Sequence, residues 1–141
     1  MINTISILMI TNDCMESMKL RRCMDSMEID HEIVEANNGM DALITLGEMA
    51  DQDKLPNIIF IDANTSKIDG FEILNILKSD AVLKNIPSVI LTNCGSHVKL
   101  INELKIDFIG NIRKNIKYSD YLKEVHKLFE NFQIFWMHKA C

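Results

Sequence analysis

Short runs of consecutive apolar residues alternate along this chain with longer stretches whose apolar positions recur every three or four residues. The runs fall at 5–10, 31–36, 57–61, 87–91 and 107–112, and each has strand length. The stretches of helical period fall at 16–27, 40–50, 71–79, 98–104 and 119–137. Runs 5–10, 57–61 and 87–91 are nearly unbroken, as strands covered on both faces by helices must be. Run 31–36 interleaves charged residues with apolar ones, which predicts an edge strand. The punctuation agrees with this division. Pro56 precedes the third strand, Pro87 opens the fourth, Asp69-Gly70 turns the chain before the third helix, and Ser119-Asp120 offers an N-cap pair for the last. Five βα units in this order predict an α/β fold, a three-layer doubly wound parallel five-stranded sheet in the flavodoxin-like order 2-1-3-4-5. No repeat or linker interrupts the rhythm, so residues 1–141 are expected to form one domain with an extended C-terminal helix.

That topology puts the switch point between strands one and three, whose carboxyl ends then share a crevice. The third run ends in a lone carboxylate, Asp62, a candidate nucleophile or metal ligand; the bland alternative is that it only ends a strand or caps the next helix. Thr11, Asn12 and Asp13, after the first strand, are expected to face it. Thr92 and Asn93, after the fourth strand, and Lys114, after the fifth, are expected to flank the same pocket. A carboxylate, a hydroxyl and an ammonium converging on one spot suit a phosphoryl group, whose oxygens Lys and Thr can hold.

Composition narrows the remaining classes. Among 141 residues, 48% are apolar and 25% charged, which is a folding sequence rather than a disordered one. A net charge of -5 argues against nucleic acid and anionic membrane as partners, since both want a basic face. Cys14, Cys23, Cys94 and Cys141 have no CxxC spacing and read as free thiols in a reducing compartment. His31, His97, His126 and His138 are scattered and form no ligand cluster. The first residues lack a basic leader, no apolar run has transmembrane length, and the terminal Cys141 cannot be a prenylation box. A cytoplasmic protein is expected.

The strand ending in Asp62, the downstream Asp69-Gly70, the strand closing on Thr92, and Arg113-Lys114 after the fifth strand together resemble the receiver domains of two-component response regulators. The resemblance runs over essentially the whole chain. It looks closest to the single-domain regulators that partner cyanobacterial phytochromes, on the strength of Asn115 after the Lys and the long last helix with Phe135-Trp136. It implies that Asp62 accepts a phosphoryl group from a histidine kinase or phosphotransfer protein. Lys114 would then pair with the phosphoryl oxygens, Thr92 would hydrogen-bond one of them, and the backbone carbonyl of Asn64 would help hold magnesium. Such a protein signals by contact and turns over no metabolite.

The chain also departs from that family. Receivers end strand one with an acidic pair for the metal, and here Thr11 and Asn12 stand there, with Asp13 one residue late. Two neutral groups in place of two carboxylates predict a magnesium site, on Asp62, the Asn64 carbonyl, Asn12 and Asp13, that is weak or absent. Asp62 is then expected to pair with Lys114. Thr65-Ser66 replaces an apolar-proline pair, Asn93 a small residue, and Asn111 the aromatic that commonly reports phosphorylation. Asn115 replaces a proline, which removes the reason for a cis peptide bond there. A degenerate receiver that binds partners without phosphorylation is therefore the alternative. A flavin mononucleotide-binding flavodoxin-like protein is a remote one, because residues 11–17 carry two acids that would repel the phosphate and no aromatic pair is placed to sandwich a flavin. A haloacid-type hydrolase needs a second acid where Asn64 stands.

In the last helix Tyr121, Leu122, Val125, Leu128, Phe129, Phe132, Phe135 and Trp136 recur at helical spacing and form a wide apolar face. A helix over 119–137 is about 27 Å long, whereas a typical strand spans about 17–20 Å. The end bearing Phe132, Phe135 and Trp136 is expected to overhang the sheet and to build a two-fold homodimer.

Overall fold

The computed structural model describes residues 4–64, 70–92, 110–114 and 116–140, the last ten of these by backbone alone. β1 (Ile5–Ile10), α1 (Cys14–Ser26), β2 (His31–Ala36), α2 (Gly39–Asp51), β3 (Ile58–Asp62), α3 (Gly70–Ser79), β4 (Ser88–Thr92), β5 (Gly110–Arg113) and α4 (Tyr118–Ala140) follow one another. A single 3-10 turn over Leu83–Asn85 precedes β4. The strands form one sheet in the order β2-β1-β3-β4-β5, every pair parallel. This is the doubly wound topology that the sequence pattern predicts. The expected helix at 98–104 and the first part of the fifth strand, 107–109, lie outside the described residues.

Alternation along the strands sorts the core into two layers, because successive side chains point to opposite faces. Ile7, Met9, Ile58, Phe60, Val89, Leu91 and Ile112 pack with Leu20, Cys23 and Met24 of α1 and with Tyr121, Val125 and Phe129 of α4. The Phe60 and Phe129 rings stack with centroids 6.3 Å apart. Leu8, Ile10, Ile59, Ile61 and Ile90 face the other way, onto Ala42 and Leu46 of α2 and Ile73, Leu74 and Leu77 of α3. Every residue of β3 and β4 is buried, whereas β2 is half-exposed along most of its length, as its charged residues require of an edge. Each fully buried side chain of this kind stabilises the fold by roughly 1.5–3 kcal/mol.

Helix starts depart from expectation by one or two residues, and the caps explain why. Asp13 adopts an extended backbone and its side chain accepts the Met15 N–H, so α1 begins at Cys14 rather than Glu16. Asn38 does the same for α2 through the Asp41 N–H at 3.0 Å. For α4 the expected cap pair Ser119-Asp120 lies inside the helix, since the Lys117 carbonyl already accepts from the N–H groups of Asp120 and Tyr121. Among the described residues, no helix is long and apolar enough to cross a membrane.

Candidate functional site

Asp62 is the last residue of β3, and its side chain is 1% exposed. Its Oδ2 accepts from Thr11 Oγ1 at 2.8 Å and from Lys114 Nζ at 2.7 Å. Its Oδ1 accepts the Asn64 N–H at 2.9 Å. A buried carboxylate is costly unless donors and a countercharge replace its water, and here three donors do so, one of them an ammonium. The sheet brings them together. β1 and β3 are neighbours, so Thr11, just past the end of β1, meets the end of β3. The Lys114 N–H donates to the Thr92 carbonyl at 2.8 Å, which extends the β4–β5 pairing by one step and carries Lys114 to the same end of the sheet. Gly70, opening α3, crowds this strand end: a Cβ there would lie 2.7 Å from both the Ala63 Cα and the Asp62 carbonyl oxygen.

The other expected site residues are placed differently. Thr92 is fully buried at the end of β4, but its hydroxyl donates to Asn111 Oδ1 at 3.0 Å and not to Asp62. Asp13 spends its carboxylate on the α1 cap, and its own N–H donates to Thr11 Oγ1 at 3.1 Å. Asn12 and Asn64 are exposed. Asn93, Thr65, Ser66 and Asn115 lie outside the described residues.

No family model matches the chain. Response regulator Rcp1 of Synechocystis sp. is 26% identical to it over 133 residues, which cover 93% of this chain and 88% of Rcp1. Protein PilG of Pseudomonas aeruginosa is 26% identical over 80 residues, 55% of this chain and 56% of PilG. The phosphorylated cyanobacterial phytochrome response regulator RcpA shares the fold with a TM-score of 0.79 at 23% identity, over 92% of this chain and 94% of RcpA. The Mn(2+)-bound form of Rcp1 gives a TM-score of 0.71 at 25% identity, over 87% and 90% of the two chains. The chain has the receiver fold, and its likeness to Rcp1 over most of both chains supports a response-regulator receiver domain. It is akin to the regulators of cyanobacterial phytochromes, and nothing in these likenesses favours a flavodoxin.

The chain holds two charged residues at this end of the sheet that the sequence pattern did not single out. Glu16, in the first turn of α1, is 3% exposed, and its Oε1 lies 3.1 Å from Lys19 Nζ. Burial pushes the Glu16 carboxyl above its usual range; the hydrogen bond and charge of Lys19 and the charge of Lys114 pull it back, and Asp13 pushes it up again. Glu16 therefore feels the charges of both Asp13 and Lys114. Lys19 Nζ also donates to the Lys114 carbonyl at 3.1 Å and sits 5.0 Å from the centroid of the Tyr121 ring. Asp13 and Glu16 stand at N-cap and N3 spacing, a helix-start signal that would have located both. Among the described residues, no three acidic, His or Cys side chains are grouped so as to hold a metal ion. The buried Cys23 thiol is pushed up to about 11 by burial, as befits a packing residue.

Proposed function

We propose that this receiver takes a phosphoryl group on Asp62 from a histidine kinase or phosphotransfer protein and passes the signal on by protein contact. The observation that carries the reading is the buried Asp62 carboxylate ion-paired to Lys114 and hydrogen-bonded to Thr11 at the carboxyl edge of the sheet. In the transfer, an Asp62 carboxylate oxygen forms the new P–O bond as the P–N bond of a phosphohistidine breaks, and the electron pair leaves with the imidazole nitrogen. Lys114, already 2.7 Å from the carboxylate, neutralises charge on the incoming oxygens, and Thr11 keeps the carboxylate oriented. Such positioning and neutralisation account for most of the acceleration in phosphoryl transfer. Thr92 reaches a phosphoryl oxygen only by giving up its bond to Asn111.

The donor set does not suit a resident magnesium ion. Asp62 is fully engaged, Asp13 caps α1, and Thr11 and Asn12 are neutral. We infer that divalent ions bind weakly, at millimolar concentrations or not at all, although receivers as a class take such ions, as the manganese-bound Rcp1 does. The same neutral pair favours a second reading, a receiver that binds partners without phosphorylation control. Under either reading the protein works in the cytoplasm as one domain, and it pairs with a second copy through α4. Mass spectrometry after incubation with acetyl phosphate and magnesium separates the two. The expected result is a gain of one phosphoryl group that Asp62→Asn abolishes; wild-type protein that gains none supports the degenerate receiver.

A further inference from the structure

Lys114 carries its ammonium on a four-carbon stem, so where that ammonium reaches depends on where its backbone is held. β5 is four residues long and has one sheet neighbour, β4, and its pairing ends with the bond from the Lys114 N–H to Thr92. Just past that last pairing bond, the Lys114 carbonyl accepts from Lys19 Nζ of α1 at 3.1 Å. Lys19 is itself fixed from two directions, by the buried Glu16 at 3.1 Å and by the Tyr121 ring of α4 beneath it. One turn on, Arg22 lies 4.5 Å from the centroid of the Tyr118 ring, a second cationic contact between α1 and α4 on the same seam.

We propose that Lys19, locked by Glu16, is a positioning residue that fixes the reach of Lys114 to Asp62. Its importance for phosphorylation rests on the phosphoacceptor reading above. Glu16 serves this purpose from inside the fold. Burying it is unfavourable and gains nothing for packing that a Leu would not supply, but its charge holds the Lys19 ammonium over the Lys114 carbonyl instead of in water. Lys19 never touches the reacting atoms.

The test reads Lys114 directly. Trace acetylation with acetic anhydride followed by peptide mass spectrometry gives the labelling rate of each lysine in the folded protein. Lys78 is the internal reference, since its Nζ is tied to the carbonyls of Lys84 and Ile86 at the other end of the sheet. In Lys19→Met, Lys114 should label about tenfold faster while Lys78 is unchanged, the fold-change expected for loss of one charge-assisted hydrogen bond. Lys19→Arg should restore slow labelling. Glu16→Gln, which keeps the side-chain shape but releases Lys19, should reproduce the pattern and serves should Lys19→Met fold poorly. Unchanged Lys114 labelling, or Lys114 and Lys78 rising together, overturns the proposal. Phosphorylation from saturating acetyl phosphate should slow in Lys19→Met by a similar factor. If wild-type protein takes no phosphoryl group while Lys114 labelling still responds, the phosphoacceptor reading fails and the positioning role stands.

Discussion

The Thr92 hydroxyl and the Asn111 side-chain oxygen are joined at 3.0 Å across β4 and β5, in a setting where Thr92 is fully buried. Asn111 sits opposite Ile90 in the register, so the bond runs diagonally up the sheet toward the Asp62 end. The polar side chain of Asn111 therefore gives the resting Thr92 hydroxyl a partner, and it competes with any phosphoryl oxygen for it.

A thermodynamic cycle over Thr92→Val and Asn111→Ala tests that coupling. Each single change should destabilise the fold by about 1 kcal/mol, and Asn111→Ala by more because it strands a buried hydroxyl. The double variant should lose less than the sum, with an interaction of about 1 kcal/mol in urea titrations. Strict additivity would show that the two side chains do not act together. With beryllofluoride in place of a phosphoryl group, amide shifts should stay near the end of β4 and residues 93–97; shifts reaching α4 would contradict a switch this local.

Gly70→Ala should damage the site from behind. The added carbon would press on backbone atoms of Asp62 and Ala63 at 2.7 Å, and backbone cannot swing aside as a side chain tip can. α3 must then move off the end of β3, at a cost of roughly 1–3 kcal/mol. Thermal or urea unfolding measures the loss, and a variant as stable as wild type would contradict so close an approach of α3 to the end of β3.

The apolar runs made the sheet legible because burial on both faces leaves no other pattern for β1, β3 and β4. Asp62 was legible for the same reason, as a carboxylate ending such a run. The partnership of Thr92 was not, because which side chain a hydroxyl finds depends on strand register, and register is not written in either strand alone. Asp13 was weighed as a metal ligand, whereas its spacing to Glu16 marks a helix start and its carboxylate is used as a cap. Lys19 escaped because its three partners come from α1, the residue just after β5, and α4, up to about a hundred residues apart in sequence.

Stability should carry a signature of Glu16 as pH changes. Burial raises its folded-state carboxyl above the usual 4.5, so the native state holds the proton more tightly than the unfolded chain does. Its contribution is fully present below 4.5 and is lost as pH rises through the folded value. Relative to wild type, Glu16→Gln should therefore gain stability as pH is raised from 4 toward neutrality, whatever its fixed offset from the loss of Lys19. Urea titrations across that range check the sign; a difference that is flat, or falls with pH, would rule it out.

Helix α4 carries the last prediction. It runs for 23 residues, about 34 Å at 1.5 Å per residue, whereas the strands it packs on have four to six residues, or roughly 13–20 Å. Tyr121, Val125, Leu128 and Phe129 pack it against the sheet and α1. In the sequence the apolar spacing continues through Phe132, Phe135 and Trp136. An apolar stripe longer than the strands it packs on would offer a second copy of the same helix, related by a two-fold axis, a matching surface. Sedimentation velocity at micromolar protein should show a dimer, and truncation before Phe132 should give a folded monomer. Wild-type protein that sediments as a monomer at that concentration would refute the pairing.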